Sequence, residues 1–160
     1  MRTYKIKEIG RVVTGKTPST KIEKFYHSHD YQFICPPDIK NPRFIFKCEK
    51  YVSKCAFDTC KSIQLKPNSI LIDCIGADLG NVSITTSQCI TNQQINSITD
   101  IKSEIVIPLY LYYYFSTKKD YFHLIGQNGS TMPIINKSMF ENIEISVHSL
   151  AQQQHIVNIR

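Results

Sequence analysis

The sequence lacks any apolar run long enough to cross a bilayer. Its longest, Val106 to Phe115, contains Pro108 and four tyrosines, far short of the roughly 20 residues a membrane helix needs. It also lacks a C-x-x-C pair: the six cysteines stand at 35, 48, 55, 60, 74 and 89. Structural zinc sites bring ligands in pairs two to four residues apart, so a set of Cys48, Cys55 and Cys60 with His27 or His29 is set aside. No metal site is expected, and all six cysteines are read as free thiols. The opening "MRTYKIKEIG" has no continuous apolar segment of the secretory kind, which predicts a cytoplasmic location and a reducing compartment. No repeat, low-complexity tract or Gly/Ser linker divides the chain, so one domain is expected. Catalytic signatures are equally sparse. "CPPD" at Cys35 to Asp38 lacks the amide or acid and the aromatic ring of an amino-methyltransferase turn, and no nuclease carboxylate pattern can be traced from Asp38. No Ser, Cys or His sits in a recognisable nucleophile context.

What is present is a chain of 160 residues, 42% apolar and 20% charged, long enough to bury about two thirds of its unfolded surface around one core. The net charge is +6, and its placement is informative. Residues 11 to 66 hold eleven Lys/Arg against five Asp/Glu, so the excess of this segment equals that of the whole chain. Tyr26, Tyr31, Phe33, Phe44, Phe46 and Tyr51 interleave with these cations. A basic, aromatic block suits a polyanion such as nucleic acid; a solvated basic face fits the charge equally well.

Along the chain, "IKEIGRVV" has apolar residues at 6, 9, 12 and 13 and predicts a short helix, followed by a loop region. From Tyr31 to Phe46, "YQFI" and "RFIF" are cut by "PPD" and "NP", predicting brief strands and turns. "SILIDCIG", "NVSITT", "QCIT" and "QINSIT" are β-branched runs too closely spaced for crossover helices, so they should pair largely antiparallel. "PLYLYYYFSTKKDYFHLIG" predicts one amphipathic helix from Pro108 to a stop at Gly126. Ser138 and Glu141 have capping-box spacing for a further short helix. "IEISV" reads as a strand returning to the sheet, and "SLAQQQHIVNIR" as a polar helix.

Gly10, Gly15, Lys16 and Thr17 in "GRVVTGKTPST" satisfy the G-x-x-x-x-G-K-[ST] pattern of a nucleotide-wrapping loop, and Asp73 in "ILID" mimics its Mg²⁺-holding acid. The context is wrong for that loop. The preceding segment carries Lys5, Lys7, Glu8 and Arg11 rather than a buried apolar strand, and Pro18 disfavours helix at Thr17. A nucleotide-binding enzyme using Gly10 to Thr17 remains the first alternative reading, and a scaffolding module that binds no DNA the second.

The order of the blocks is more specific than any one of them. "TGKTPS", "LIDCIGADLGNVSI", "TNQQIN", the Tyr-rich helix, "GSTMPIINKSMFENIEI" and the Gln-rich terminal helix together resemble the target-recognition domain of type I restriction-modification DNA specificity subunits, across nearly the whole chain. The resemblance implies an α/β (α+β) fold with a twisted, mostly antiparallel sheet and a few helices. Residues 1–148 would form the recognition domain, and 149–160 the start of a conserved spacer or dimerisation helix. It implies a non-catalytic module that reads one half of a bipartite double-stranded DNA site. Partners would be a methyltransferase subunit, a restriction subunit and a second recognition domain or second copy of the chain. No cofactor belongs to this chain; S-adenosylmethionine, ATP and Mg²⁺ belong to the partners. Family chains usually carry two such domains, so this one is a fragment or a half-subunit. Their Pro-rich entry to the spacer helix is "VHSL" here, with His148 and Ser149, which predicts a different turn.

On the residues themselves, Lys16, Thr17 and Ser19 suit a phosphate contact or a structural turn, with Lys21 and Lys24 following. Gln32, Asn41, Arg43 and Lys47 are candidate DNA contacts from the basic block, Arg43 matching guanine and Gln32 or Asn41 adenine. Ser130 and Thr131 beside Gly129 allow close approach to a ligand, or "NKS" at 136–138 braces the helix. Asn92, Gln93, Gln94 and Asn96 are read as a hydrogen-bonded ladder along a strand. The tyrosines of "LYLYYYF" are read as core and interface, with Tyr112 and Tyr113 unable to face one partner. Gln152, Gln153, Ile156 and Ile159 are the candidate partner-helix residues.

Overall fold

The computed structural model describes residues 1–127, 129 and 131–160. The chain opens with β1 (Arg2–Lys5), a single helical turn α1 (Ile6–Ile9) and β2 (Arg11–Thr14). The expected helix over "IKEIGRVV" is therefore only half realised. Gly10 crosses so tightly that a Cβ there would lie 2.8 Å from both Ile98 Cγ2 and the Thr99 carbonyl. Beyond it, Arg11 to Thr14 pair antiparallel with Asn96 to Thr99, so sheet pairing overrides the helical spacing.

A long loop with one 3₁₀ turn leads to β3 (Tyr31–Ile34), then β4 (Phe44–Ile45), β5 (Lys50–Val52) and α2 (Lys54–Thr59). The last element was not expected. Ser53 caps it by accepting from the Ala56 N–H, a start signal with only six residues behind it. Four strands follow as predicted: β6 (Ile70–Asp73), β7 (Val82–Thr85), β8 (Cys89–Thr91) and β9 (Ile95–Thr99). The tyrosine-rich segment forms two helices rather than one, α3 (Pro108–Ser116) and α4 (Lys119–Gly126). Ser116 Oγ and Thr117 Oγ1 donate back to the Tyr112 and Tyr114 carbonyls, the local competition by which hydroxyl residues end helices. Helix α5 (Lys137–Glu141) is capped by Asn136, which accepts from the Met139 N–H, so Ser138 is not its cap. Strand β10 (Glu144–Val147) and α6 (Leu150–Asn158) finish the chain.

Five strands form the central sheet in the order β2-β9-β6-β7-β4, antiparallel except for the edge pair β4–β7. A second sheet, β5-β3-β8, has one antiparallel and one parallel pair. β10 does not rejoin the main sheet; it pairs with β1 in a separate ribbon.

The central sheet is buried on both faces, and β6 shows why its sequence reads as a continuous apolar run. Ile70 and Ile72 face one core, shared with Tyr110, Phe115, Phe122 and Phe140 of the helices. Leu71 between them faces the other, shared with Phe33, Val52, Phe57 and Ile90 of the second sheet and α2. The period of two thus sends neighbouring residues into different cores. Each such side chain contributes about 1.5–3 kcal/mol by burial. The consequence is a rigid central sheet with loops at its margins, where the candidate site lies.

Candidate nucleic-acid interface

The "GKTP" loop leaves β2 by crossing the turn that connects β8 to β9. Gly15 N–H donates to the Ile95 carbonyl at 3.2 Å and Lys16 N–H to the Thr91 carbonyl at 2.9 Å. A Cβ at Gly15 would lie 2.1 Å from the Asn92 carbonyl, so glycine is required by proximity. These two amides, which a nucleotide loop would aim at phosphate, are consumed by the sheet, and no helix follows directly. The nucleotide-loop pattern is therefore incidental. What the loop presents is a cation and hydroxyls: Lys16 and Ser19 are exposed, and Thr17 Oγ1 donates to Gln93 Oε1 at 2.8 Å. Pro18 is buried, its carbonyl accepting from Tyr26 OH. Lys16, Thr17 and Ser19 share a concavity of about 440 Å³ with Thr59 and Ser62. Lys21 and Lys24 follow, both exposed.

The "TNQQ" segment is a turn and not the expected strand ladder. The Gln94 N–H donates to Asn92 Oδ1 at 3.1 Å, a side-chain turn that asparagine favours. Only Asn96 fulfils the buried-amide expectation: it is 3% exposed and donates to the Ile135 carbonyl at 2.9 Å. Asp73, the mimic of a metal-holding acid, is 1% exposed at the end of β6. Burial pushes its carboxyl up from 3.8 to about 6.

Arg43 lies just before β4, exposed, with its guanidinium 5.7 Å from the Tyr112 ring centroid and 5.1 Å from that of Tyr113. Both rings therefore face one partner, contrary to expectation, because the two rings meet edge to face 5.4 Å apart and Arg43 reaches over both. Such stacking holds a guanidinium while leaving its N–H edge free. Sequence reading missed this pairing, since the two rings lie 69 and 70 residues along the chain from the cation and only the sheet edge brings them together.

Gln32 departs from its expected role. It lies in β3, is 6% exposed, and its Oε1 accepts from Ser87 Oγ at 3.3 Å. Asn41 and Lys47 are exposed, as are Gly129 and Thr131; Ser130 lies outside the described residues. In the basic block, Arg11 and Lys66 both pair with Asp100, and Lys54 pairs with Asp58. The other eight cations, Lys16, Lys21, Lys24, Lys40, Arg43, Lys47, Lys50 and Lys61, are exposed and form no salt bridge among the described residues.

The C-terminal helix is tied to the domain. Gln153, expected to face a partner, is fully buried. Its Nε2 donates to the Ile105 and His148 carbonyls, and its Oε1 accepts from the Ile107 N–H at 2.9 Å. Gln152 forms a capping box with Ser149, which is how the chain enters this helix without proline. Ile156 is half-buried against the helical core, whereas Ile159 is 68% exposed.

The six cysteines are free. Burial pushes the Cys74 thiol up to about 12 and Cys48 to about 11, and raises Cys89 as well, so none of these three is a reactive thiolate near neutrality. Among the described residues no three His, Cys, Asp or Glu side chains converge to hold a metal ion, and no helix is long and apolar enough to cross a membrane.

Known proteins place this architecture. The model of the type I restriction modification DNA specificity domain matches residues 1–159. The type I restriction enzyme MjaIX specificity subunit of Methanocaldococcus jannaschii is 34% identical over 97% of this chain and 36% of its own length. The HindI specificity subunit of Haemophilus influenzae is 32% identical over 88% of this chain and 30% of its own. The chain thus spans about a third of the length of these relatives. Among solved structures, the HsdS subunit from Thermoanaerobacter tengcongensis superposes with a TM-score of 0.72 at 14% identity, over 99% of this chain and 35% of that one. With the domain model spanning all but the last residue, the chain belongs to the type I restriction modification DNA specificity domain family, a family of non-catalytic specificity components.

Proposed function

We propose that this chain reads one half of a bipartite double-stranded DNA site and directs partner subunits to it. The observation that carries the reading is the set of eight exposed, unpaired cations between Lys16 and Lys61. Among them are Lys16, whose loop also carries the Thr17 and Ser19 hydroxyls, and Arg43, whose guanidinium lies over two tyrosine rings. In this reading the loop cations contact phosphates and fix the register of the duplex, while Arg43 reads guanine with its free N–H edge. Methylation belongs to a methyltransferase subunit and cleavage to a restriction subunit, together with S-adenosylmethionine, ATP and Mg²⁺. The exposed face of α6, through Gln152 and Ile159, meets a second recognition domain or a second copy of the chain. Gln153 is withdrawn from that face because it is hydrogen-bonded inward.

The test is to co-express the chain with a methyltransferase subunit of its own system and to map methylated adenines across a genome by single-molecule sequencing. A defined motif is the expected result. A stable complex that methylates without sequence preference would reduce the chain to a scaffold. In parallel, affinity for the matching duplex should fall with salt, each phosphate contact adding about −0.9 to the logarithmic slope. Salt-independent binding would refute phosphate docking.

A further inference from the structure

Phe46 is 78% exposed, although Phe44 two residues earlier is half-buried against the helical core. The position is fixed. Phe44 and Ile45 pair in parallel with Ile84 and Thr85, and Thr86 Oγ1 donates to the Ile45 carbonyl, so the turn Thr86 to Gln88 runs beside Phe46. That turn enters β8, whose Cys89 lies opposite Gln32. The margins of the two sheets thereby enclose a concavity of about 380 Å³ lined by Phe46, Gln88, Ser87, Gln32, Tyr51 and Asp30, among others.

Several hydrogen-bonding groups in this concavity are already occupied. Ser87 donates to Gln32 at 3.3 Å. Asp30 accepts from Ser28 Oγ at 2.7 Å and from the Lys54 N–H at 2.9 Å. Gln88 is exposed and its amide forms no hydrogen bond among the described residues, so both its polar ends are free beside the exposed Phe46 ring. Exposed, unpaired cations, Arg43, Lys47 and Lys50, precede and follow Phe46 in the chain. A free amide matches the N6/N7 edge of adenine, and an apolar ring matches the methyl group of the paired thymine in the major groove. Cations beside them match the flanking phosphates.

We propose that Phe46 and Gln88 read one A·T base pair of the recognised site, with Gln88 on the adenine and Phe46 on the thymine methyl. This rests on the DNA-reading function proposed above. It replaces Gln32 as the adenine reader, because Gln32 is only 6% exposed and its Oε1 is taken by Ser87, so it cannot offer both ends of its amide to a base.

The experiment selects duplexes from two randomised libraries, identical except that one carries uracil for every thymine and so lacks only the methyl groups. The complete specificity polypeptide is used, assembled with its methyltransferase subunit. From the thymine library one A·T position should be enriched that weakens in the uracil library. At that position a single thymine-to-uracil change should cost about fourfold in affinity, the worth of one buried methyl. Phe46→Ala should erase that difference and leave the rest of the motif. Gln88→Ala should lower adenine preference at the same position about tenfold. Phe46 is so exposed that its variant should melt with the parent, which separates readout from folding.

The same motif from both libraries with the parent protein overturns the proposal. So does a Phe46→Ala variant that stays methyl-sensitive, or one that only blocks assembly, which would make this face a protein-docking surface. Retention of duplexes without any motif, or no retention, overturns sequence-specific reading itself. Those two failures show in the parent before any variant is made, so the two readings fail distinguishably.

Discussion

Replacing Asp73 by asparagine should remove a defined component of the pH dependence of stability. Asp73 is 1% exposed at the end of β6. Its Oδ1 accepts from the Ile75 N–H at 3.3 Å, and Oδ2 has no partner among the described residues. Burial raises the carboxyl from 3.8 to about 6, with Asp78 adding to the rise and the Ile75 amide and Lys119 opposing it. The folded state therefore binds this proton more tightly than the unfolded chain does. Between about pH 4 and 6 the unfolded state binds fewer protons, so stability falls as pH rises and is flat above that window. A rise of about two units at 1.36 kcal/mol each corresponds to about 2–3 kcal/mol lost between pH 4 and 7.5. Asp73→Asn keeps the shape without the charge. Its extra N–H adds a cost that does not vary with pH, so the informative quantity is the difference between parent and variant across pH. Urea unfolding followed by circular dichroism at several values from pH 4 to 7.5 should show that difference moving by about 2–3 kcal/mol, with the parent gaining at low pH. Curves that stay parallel within about 0.5 kcal/mol, the usual range for a neutral substitution, would refute the reasoning.

Three further outcomes follow from contacts in the fold. Gly15→Ala should destabilise by about 2–4 kcal/mol, since its Cβ would sit 2.1 Å from a backbone carbonyl and must displace the loop from β8 and β9; thermal melting within a degree of the parent would contradict this. Gln153→Ala leaves the Ile107 N–H and two carbonyls without their partner; it should cost about 2–4 kcal/mol and speed amide exchange across α6 ahead of the central sheet. Arg43→Ala should lose about 1 kcal/mol or less of stability from its two exposed ring contacts. The same variant should lose about 1–3 kcal/mol of binding to the cognate duplex, with discrimination relaxed at one guanine; competition titration with single-base variants of the site measures both.

The sequence by itself determined the family, through several blocks in a fixed order, and the four strands from Ile70 to Thr99. Their β-branched runs and short connections favour antiparallel pairing, which holds for β6 with β7 and β9, whereas β8 departs to the second sheet and pairs in parallel with β3. It also located the basic block, because charge is local information. Sequence could not show that α3 and α4 are separate helices, since the break depends on hydroxyl groups bonding back to carbonyls. Nor could it show that Gln153 points inward while Ile159 points out, because "QQQHIVNI" offers equivalent polar positions on every face. Only the tertiary structure decided which side chains remain free for a ligand. Gln32 looked like a base reader by residue type, and its place in β3 buries it. Phe46 was one of six aromatics in the basic block, and only its place just past a two-residue edge strand singles it out as exposed. Arg43 is held by rings 69 and 70 residues away in the chain. The physical reason is the same in each case: residue type and spacing fix what a group can bind, whereas burial and hydrogen-bond occupancy depend on strand neighbours that are distant in sequence.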